Sequence, residues 1–257
     1  MTAGRSVASR AEVEKFLASR TFSGYQEVPL PHGLKVPGTD HGARIDQVFT
    51  FDLEGLSVLD VGTCYGVFPY AAMRRGARRA VGLEPDPDRY SVARRIAHLH
   101  GDQWEIWHGD IGALGGETFD VVLLLNVLHH LTDPVDAMRR LVSICRETIV
   151  VEFCLPDDPK YLVHLIDPRP EPRRSAWWSA RARSLLLRPI ASRLPLMAVG
   201  NRTYDRTLYF SPKAFDHLFR LHLGFFDEVE FAPSVSGWRR LARCRVAPGA
   251  SGLRDRA

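Results

Sequence analysis

Apolar positions follow two patterns along the middle of the chain, short continuous runs and helical spacings, and the two alternate. The short runs are Val58–Val61, Ala80–Leu83, Trp104–Trp107, Phe119–Leu125 and Thr148–Phe153, and the helical spacings lie at 66–75, 86–100 and 134–145. Such runs are typical of strands buried on both faces of a parallel sheet. The alternation therefore predicts an α/β fold, a Rossmann-like sheet covered by helices on both faces.

Capping residues indicate where two of the helices begin. Asp86-Pro87 and Ser211-Pro212 each place a capping side chain before a proline that suits the first helical position. The helix after Ser211 is predicted to end near Leu223, because Gly224 suits a C-terminal cap. Two further strands are predicted at Phe225–Phe231 and Arg239–Val246.

These elements predict one α/β core with additions at both ends. An N-terminal segment (1–49) contains a helix at 8–19 and an irregular arm rich in Pro and Gly, and the cofactor-binding core follows at 50–155. Residues 156–205 form an insertion that is predicted to cover the site as a lid, with a helix at Ala176–Leu187. Residues 206–247 supply a helix and strands that complete the sheet, and 248–257 are predicted to be a flexible tail.

Composition narrows the class of protein. The 257 residues are 45% hydrophobic, which suffices for one α/β domain with a full core. The four cysteines are widely spaced, so they predict no metal site and indicate a reducing compartment. The chain begins without an apolar leader and lacks a long apolar run, so we expect a cytoplasmic protein with no membrane contact.

The net charge of +4 is modest but unevenly distributed. Between Pro168 and Arg193 there are seven arginines and one acid, Glu171. Such a segment can attract phosphate, nucleic acid or an acidic substrate. The alternative is a solvated face in an arginine-rich chain.

A glycine-bearing turn follows the first core strand, at Asp60-Val61-Gly62-Thr63-Cys64-Tyr65-Gly66, and Glu84-Pro85 ends the next strand. In an α/β sheet such a turn lets the backbone approach a nucleoside, and the acid accepts the ribose hydroxyls. A dinucleotide would require G-x-G-x-x-G at the start of the helix, whereas this turn has only Gly62 and Gly66. The pattern therefore favours a different nucleoside cofactor.

The segment Asp60–Gly66 resembles motif I of the class I S-adenosylmethionine-dependent methyltransferases, with Cys64 where a glycine is commonest. Gly109-Asp110-Ile111 and Asn126-Val127-Leu128-His129-His130-Leu131 match the family's later motifs in order and spacing. The resemblance covers about 50–155 and implies a seven-stranded sheet of order 3-2-1-4-5-7-6, with strand seven antiparallel. It implies S-adenosyl-L-methionine as cofactor, held by Asp60, Gly62, Thr63, Cys64, Tyr65, Gly66, Glu84, Pro85, Asp110, Ile111, Asn126 and Val127.

Two outer segments, Leu30–Gly38 and Asp205–Pro212, look like the bacterial tRNA wobble-uridine carboxymethyltransferase group and its relatives. Those enzymes hold a carboxylated cofactor with Arg, Tyr and Lys. Arg206 matches the arginine, but His129 replaces the tyrosine and the arm offers no matching lysine. The expectation is therefore plain O-, N- or C-methylation of a small acidic or aromatic acceptor in specialised metabolism, with tRNA modification as the alternative.

Several side chains are candidates for work at the acceptor. We predict that His129 faces the acceptor as a general base with His130 packed beneath it, or that both are structural. Arg206 is predicted to grip an acidic substrate or the cofactor carboxylate, or to pair with an acid. Cys64 is expected to line the pocket without acting as a nucleophile.

Other side chains are predicted to enclose the site. Arg44 and Asp40 close over the cofactor or form a surface ion pair, and Tyr65 and Phe68 wall the methionine or belong to the core. Trp177 and Trp178 stack on an aromatic or nucleobase acceptor, or serve lid packing and a homodimer contact.

Overall fold

The computed structural model describes residues 6–156, 174–191, 194–195, 197–199, 208–235 and 237–250. The chain divides into two compact units, Met1–Leu123 and Leu124–Ala257. The boundary falls within one strand, so each unit contributes strands to the main sheet.

The first unit contains the N-terminal elements and the beginning of the sheet. Its helices are α1 (Arg10–Ala18), α2 (Gly42–Val48), α3 (Val67–Arg74) and α4 (Pro87–Leu99). Its strands are β1 (Val28–Pro29), β2 (Lys35–Val36), β3 (Ser57–Val61), β4 (Arg79–Glu84), β5 (Glu105–His108) and β6 (Phe119–Leu125), the last of which runs into the second unit.

The second unit contains the remaining elements. Its helices are α5 (Pro134–Ile144), α6 (Arg174–Ala191) and α7, which is α-helical over Pro212–Phe215 and π-helical over Asp216–His222. Its strands are β7 (Cys145–Cys154), β8 (Met197–Val199), β9 (Leu208–Phe210), β10 (Phe226–Pro233) and β11 (Arg239–Val246).

Seven strands form one sheet in the order β10-β11-β7-β6-β3-β4-β5. Strand β3 is parallel to β4 and β6, whereas β11 is antiparallel to both β7 and β10. Counted from β3 as the first core strand, this is the order 3-2-1-4-5-7-6 with strand seven antiparallel. The predicted topology is confirmed.

The burial of the strands follows from their sequences. Every residue of β3 and of β6 is buried, as continuous apolar runs predict. The predicted caps are also present: the Asp86 side chain accepts from the Arg89 N–H, and the Ser211 hydroxyl accepts from the Ala214 N–H. Each cap fixes the start of its helix at the following proline, Pro87 in α4 and Pro212 in α7.

The structure differs from the prediction in the arm and at the end of α7. The arm is not wholly irregular, because β1 and β2 pair as an antiparallel hairpin. Helix α7 changes to π-helical geometry at Asp216, although Gly224 takes the left-handed conformation expected of a C-terminal cap (φ 64°). Pro248–Ala250 form a turn with Ala250 buried, while 251–257 and most of the insertion lie outside the described residues.

Candidate functional site

The turn between β3 and α3 is shaped by left-handed backbone and by the end of β4. Gly62 and Gly66 have φ values of 74° and 86°, and Cys64 also lies in the left-handed region at 57°. The N–H groups of Gly62 and Thr63 donate to the Leu83 carbonyl at 2.8 and 3.0 Å. The turn is thereby fixed against the strand that carries Glu84.

Glu84 is 2% exposed and both of its carboxylate oxygens are engaged. Oε2 accepts from the Cys64 N–H at 2.8 Å, and Oε1 accepts from the Asp86 N–H at 3.0 Å. Burial raises the pKa of Glu84, and the two N–H groups offset part of that rise. Each oxygen retains a lone pair, so the fixed carboxylate has the acceptor capacity that two vicinal hydroxyls require.

Asp60 is as buried as Glu84, but its carboxylate accepts fewer hydrogen bonds. Its side chain is 2% exposed and Oδ2 has no hydrogen-bond partner among the described residues. Burial raises the pKa of Asp60 to about 7, partly opposed by the Thr63 side chain and the Arg44 guanidinium. A buried carboxylate oxygen without a donor requires an explanation, and a cationic ligand group would supply one.

Gly82 in β4 lets the turn approach this closely. A Cβ atom added at Gly82 would lie 2.7 Å from Cγ2 and 2.8 Å from Oγ1 of Thr63. Since Thr63 is itself buried, neither side can move away without disturbing the strand.

Gln26, in the arm, supports the turn from a distant part of the sequence. Its buried Oε1 accepts from the N–H groups of Tyr65 at 3.0 Å and Val67 at 3.5 Å. The Tyr65 hydroxyl is directed toward the same arm and donates to Ser23 Oγ at 3.0 Å. Sequence reasoning missed Gln26, because one glutamine in a loop carries no recognisable motif.

Cys64 is a buried thiol. Burial, with smaller contributions from Glu84 and Asp60, raises the pKa of Cys64 to about 12. The thiol therefore stays protonated near neutral pH, and its lack of a nucleophilic role stays a prediction.

The third predicted cofactor segment lies at the end of β5. The Asp110 side chain is exposed and Oδ1 accepts from the Gly112 N–H at 2.8 Å, which fixes a single 3₁₀ turn. Ile111 is buried, whereas Pro85, at the end of β4, is exposed. The Asp110 carboxylate thus has an oriented position with solvent access.

Three residues that were predicted to enclose the cofactor differ in their surroundings. They are Arg44, Phe68 and Asp40. Arg44 is buried, with its guanidinium 5.5 Å from the centroid of the Phe68 ring. Phe68 is fully buried and also contacts Phe49. Asp40 accepts from the Gly42 N–H at 2.8 Å and so marks the start of α2. Phe68 is core, as the alternative interpretation held.

In the second unit, β6 ends in another left-handed residue. Asn126 has a φ of 62°, and its N–H donates to the Glu152 carbonyl at 3.2 Å. Val127 then precedes a 3₁₀ turn over Leu128–His130. The chain thus leaves β6 through a left-handed residue and enters a turn that contains the two histidines.

The two histidines have the reverse of the predicted exposure. His129 is buried and His130 is exposed, with ring centroids 4.1 Å apart. His129 Nδ1 lies 3.6 Å from Cys154 Sγ. Burial, and then the neighbouring charges of His130 and Arg239, lower the pKa of His129 to about 3. Such a group is a weak proton acceptor near neutral pH, so the geometry favours packing for His129, and its catalytic role stays a prediction.

Glu152 is a buried acid that sequence reasoning passed over. It has no exposed surface, and it accepts from Ser234 Oγ at 2.6 Å. Arg239 Nη1 lies 3.4 Å from its other oxygen. The sequence did offer a signal, because Glu152 is a charged residue inside the apolar run Thr148–Phe153. Arg206, in contrast, lies outside the described residues.

Comparisons with known proteins agree with this geometry. Residues 59–148 match the family model described as a methyltransferase domain. A ubiquinone biosynthesis O-methyltransferase from Methylocella silvestris is 39% identical over 96 residues, which is 37% of either chain. A tRNA U34 carboxymethyltransferase from Shewanella baltica is 25% identical over 170 residues, covering 60% of this chain and 51% of that one. The chain spans about half or less of the length of these curated relatives.

Among solved structures, the N-terminal domain of EvdMO1, determined with SAH and D-fucose, has a TM-score of 0.61 at 15% identity. The alignment covers 94% of this chain and 98% of that domain. Magnesium protoporphyrin IX methyltransferase from Synechocystis has a TM-score of 0.53 at 18% identity, over 80% and 84% of the two chains. At these identities the likeness is one of fold.

Sheet order, turn and buried acid together define an α/β fold of the methyltransferase type. Residues 59–148 thus resemble a methyltransferase domain, and the chain has the fold of the class I S-adenosylmethionine-dependent methyltransferases. Both the family and the similarity to the tRNA wobble-uridine carboxymethyltransferase group were predicted from the sequence.

Proposed function

We propose that the protein transfers a methyl group from S-adenosylmethionine to a small-molecule acceptor. The observation that carries the proposal is the Glu84 carboxylate, which is buried and fixed by the Cys64 and Asp86 N–H groups beside the β3–α3 turn. It offers two oriented acceptors at the place where this fold binds a ribose.

The residues of the first unit fit the proposed cofactor. Glu84 would accept the ribose hydroxyls, and the unpartnered Oδ2 of Asp60 would accept from the ammonium group of the methionine moiety. Gly62 and Gly66 carry no side chain and take left-handed φ values at the two ends of the turn. Assignments of Asp110, Ile111, Asn126 and Val127 to the same cofactor remain predictions from the family resemblance.

The bound cofactor supplies an already activated methyl group on a sulfonium, so the protein contributes mainly alignment and exclusion of water. The burial of Asp60 and Glu84 keeps water from both carboxylates. We further propose that His129 holds its loop against Cys154 in the neutral state, and that Arg206 binds an acidic group of the acceptor. An acidic or aromatic acceptor and a cytoplasmic location remain predictions.

A second candidate is modification of a tRNA nucleoside. It is favoured by the length of the match to the Shewanella baltica tRNA enzyme, which covers 60% of this chain, and by the arginine-rich segment. Phosphate contacts weaken steeply as salt rises. Absence of tRNA binding even at low salt would eliminate this candidate.

Calorimetry with S-adenosylhomocysteine tests the cofactor site. Glu84→Gln should weaken binding about 10- to 100-fold, because an amide replaces one charged acceptor by a donor. Glu147→Gln, at an exposed position in β7, should bind like the unaltered protein. Strong binding of a pyridine dinucleotide, with no heat from S-adenosylhomocysteine, would refute the proposed function.

Transfer to the acceptor needs a separate assay. Cell extract incubated with isotopically labelled S-adenosylmethionine and the protein should yield a labelled small molecule by mass spectrometry. Label in tRNA alone would favour the second candidate.

A further inference from the structure

Helix α6 has an apolar face that is exposed to solvent. Trp178, Leu185 and Leu186 are 72%, 65% and 75% exposed. With Ala182, which is also exposed, they occupy positions i, i+4, i+7 and i+8 of one helical face. Trp178 and Leu185 are about 10 Å apart along the axis at 1.5 Å per residue. This exposed face is called the Trp178 stripe below.

The opposite face of the same helix is the buried one. Ala176, Ala180 and Ser184 are buried and follow each other at intervals of four residues. The large apolar side chains therefore point away from the face that the fold covers. A contiguous apolar surface of this kind on a folded protein marks a site of contact with a membrane, a ligand or another protein.

Positive charge flanks the stripe. Arg174 and Arg181 lie at one edge of it, and Arg183 lies between its far side and the buried face; all three are exposed. No carboxylate of the described residues lies within ion-pair distance of these three guanidinium groups. The sequence of α6 contains no acid, so these three described arginines present positive charge that no described carboxylate pairs.

We propose that α6 docks on the surface of an anionic phospholipid bilayer, with the Trp178 stripe inserted at the level of the headgroups. Tryptophan and leucine on one face with arginine beside them is the pattern of helices that lie in a membrane interface. No helix of the described residues is long and apolar enough to cross a bilayer, so the helix would lie on the membrane. The proposal departs from the expectation of no membrane contact.

The charge and the apolar side chains of α6 favour an anionic bilayer over an RNA and over a second copy of the chain. An RNA backbone would satisfy the arginines but would leave Leu185 and Leu186 in water. A second copy of the chain would cover the leucines but would oppose one acid-free helix to another, which like charges disfavour. An anionic bilayer satisfies both the arginines and the apolar side chains.

Sedimentation of the full chain with vesicles tests the proposal. We expect binding to vesicles of phosphatidylcholine with about one third phosphatidylglycerol, and much less binding to pure phosphatidylcholine. Leu185→Gln/Leu186→Gln should lower the partition coefficient about tenfold or more. Leu221→Gln, which alters a leucine that is 60% exposed outside α6, is the matched control and should change little.

Two further measurements separate the contributions. Arg181→Gln should weaken binding and reduce its salt dependence more than Lys213→Gln, an exposed cation outside α6. Brominated lipids should quench tryptophan emission of the unaltered protein, and Trp178→Phe should abolish most of that quenching. Binding of S-adenosylhomocysteine should be unchanged in all these variants, which makes the result independent of the proposed function.

Three outcomes would overturn the proposal. The first is absence of binding to anionic vesicles. The second is tRNA binding that depends on Arg181 but not on the leucines, without vesicle binding. The third is a dimer in light scattering that dissociates in Leu185→Gln/Leu186→Gln while vesicles are ignored.

Discussion

Asp60 and Glu84 are two buried carboxylates on adjacent strands, and they differ in how they are satisfied. Glu84 accepts two backbone N–H groups, whereas Asp60 Oδ2 accepts from none of the described residues. Leaving a buried acceptor without a donor costs about 1–3 kcal/mol. The fold bears this cost at Asp60 because, we propose, a ligand supplies the missing donor.

The pKa of Asp60 gives a stability prediction for the protein without cofactor. Because that pKa rises from 3.8 to about 7 on folding, the protonated form is favoured in the folded state. The free energy of unfolding should therefore fall as the pH rises from about 4 to about 7. Asp60→Asn should remove this fall and raise the free energy of unfolding by about 4 kcal/mol at pH 8, measured by urea denaturation.

Asp88→Asn is the control, because Asp88 is exposed in the first turn of α4. The same Asp60→Asn change should weaken S-adenosylhomocysteine binding about tenfold or more, since the ammonium would lose its charged acceptor. Greater stability without loss of affinity would mean that Asp60 does not contact the cofactor.

His129 gives the opposite dependence. Its pKa falls from 6.5 to about 3 on folding, so the unfolded chain binds the proton more readily. Stability should be lost as the pH falls from 6.5 toward 3, by about 2 kcal/mol at pH 5. His129→Gln should reduce this acid sensitivity in denaturation curves, whereas His217→Gln, at an exposed position, should not. An unchanged acid sensitivity in His129→Gln would contradict the lowered pKa.

The contact between β4 and the β3–α3 turn decides whether the site can form. Gly82→Ala would place a methyl group 2.7 Å from Thr63 Cγ2 in a fully packed region. We expect a loss of about 1–3 kcal/mol in the free energy of unfolding and weaker S-adenosylhomocysteine binding. Gly115→Ala is the comparison, because an added Cβ there meets nothing within 4 Å. Equal effects of the two changes on binding would show that the close approach is unimportant.

Among the elements, local signals predicted beginnings better than ends. Asp86-Pro87 and Ser211-Pro212 start α4 and α7 as expected, because a cap and a proline act on neighbouring residues alone. The π-helical part of α7 carries no local signal, since its spacing depends on how Phe215 and Phe219 pack. Strand β7 likewise begins at Cys145, earlier than predicted, although its pairing with β11 covers only Thr148–Cys154.

Gln26 connects the arm to the site across the first unit. Gln26→Ala would leave the N–H groups of Tyr65 and Val67 without their shared acceptor. Thermal or urea unfolding should show a loss of about 1–3 kcal/mol, accompanied by weaker S-adenosylhomocysteine binding. Gln103→Ala, at an exposed position, should leave both unchanged. If removing Gln26 lowers neither stability nor affinity, the arm does not support the turn.

At the scale of the whole molecule, some features could be known only from the three-dimensional structure. The sequence marks the arginines and the adjacent tryptophans of the insertion, but not which face of α6 is covered. Burial of Ala176 and Ala180 directs Trp178 outward, and this orientation is what suggests a bilayer surface. The alternative prediction, a homodimer contact at the tryptophans, is tested by the light-scattering measurement that accompanies the vesicle experiment.

The sequence alone determined the sheet order through its family motifs, the helix starts, and the pairing of the Gly62–Gly66 turn with Glu84. These depend on residues that are neighbours in sequence or one strand apart, so their spacing preserves the information. Tertiary structure alone decided the exposure of His129 and His130, the unsatisfied Asp60 oxygen and the support from Gln26. Each of these depends on burial or on a hydrogen bond between distant segments, and neither is fixed until the chain has folded.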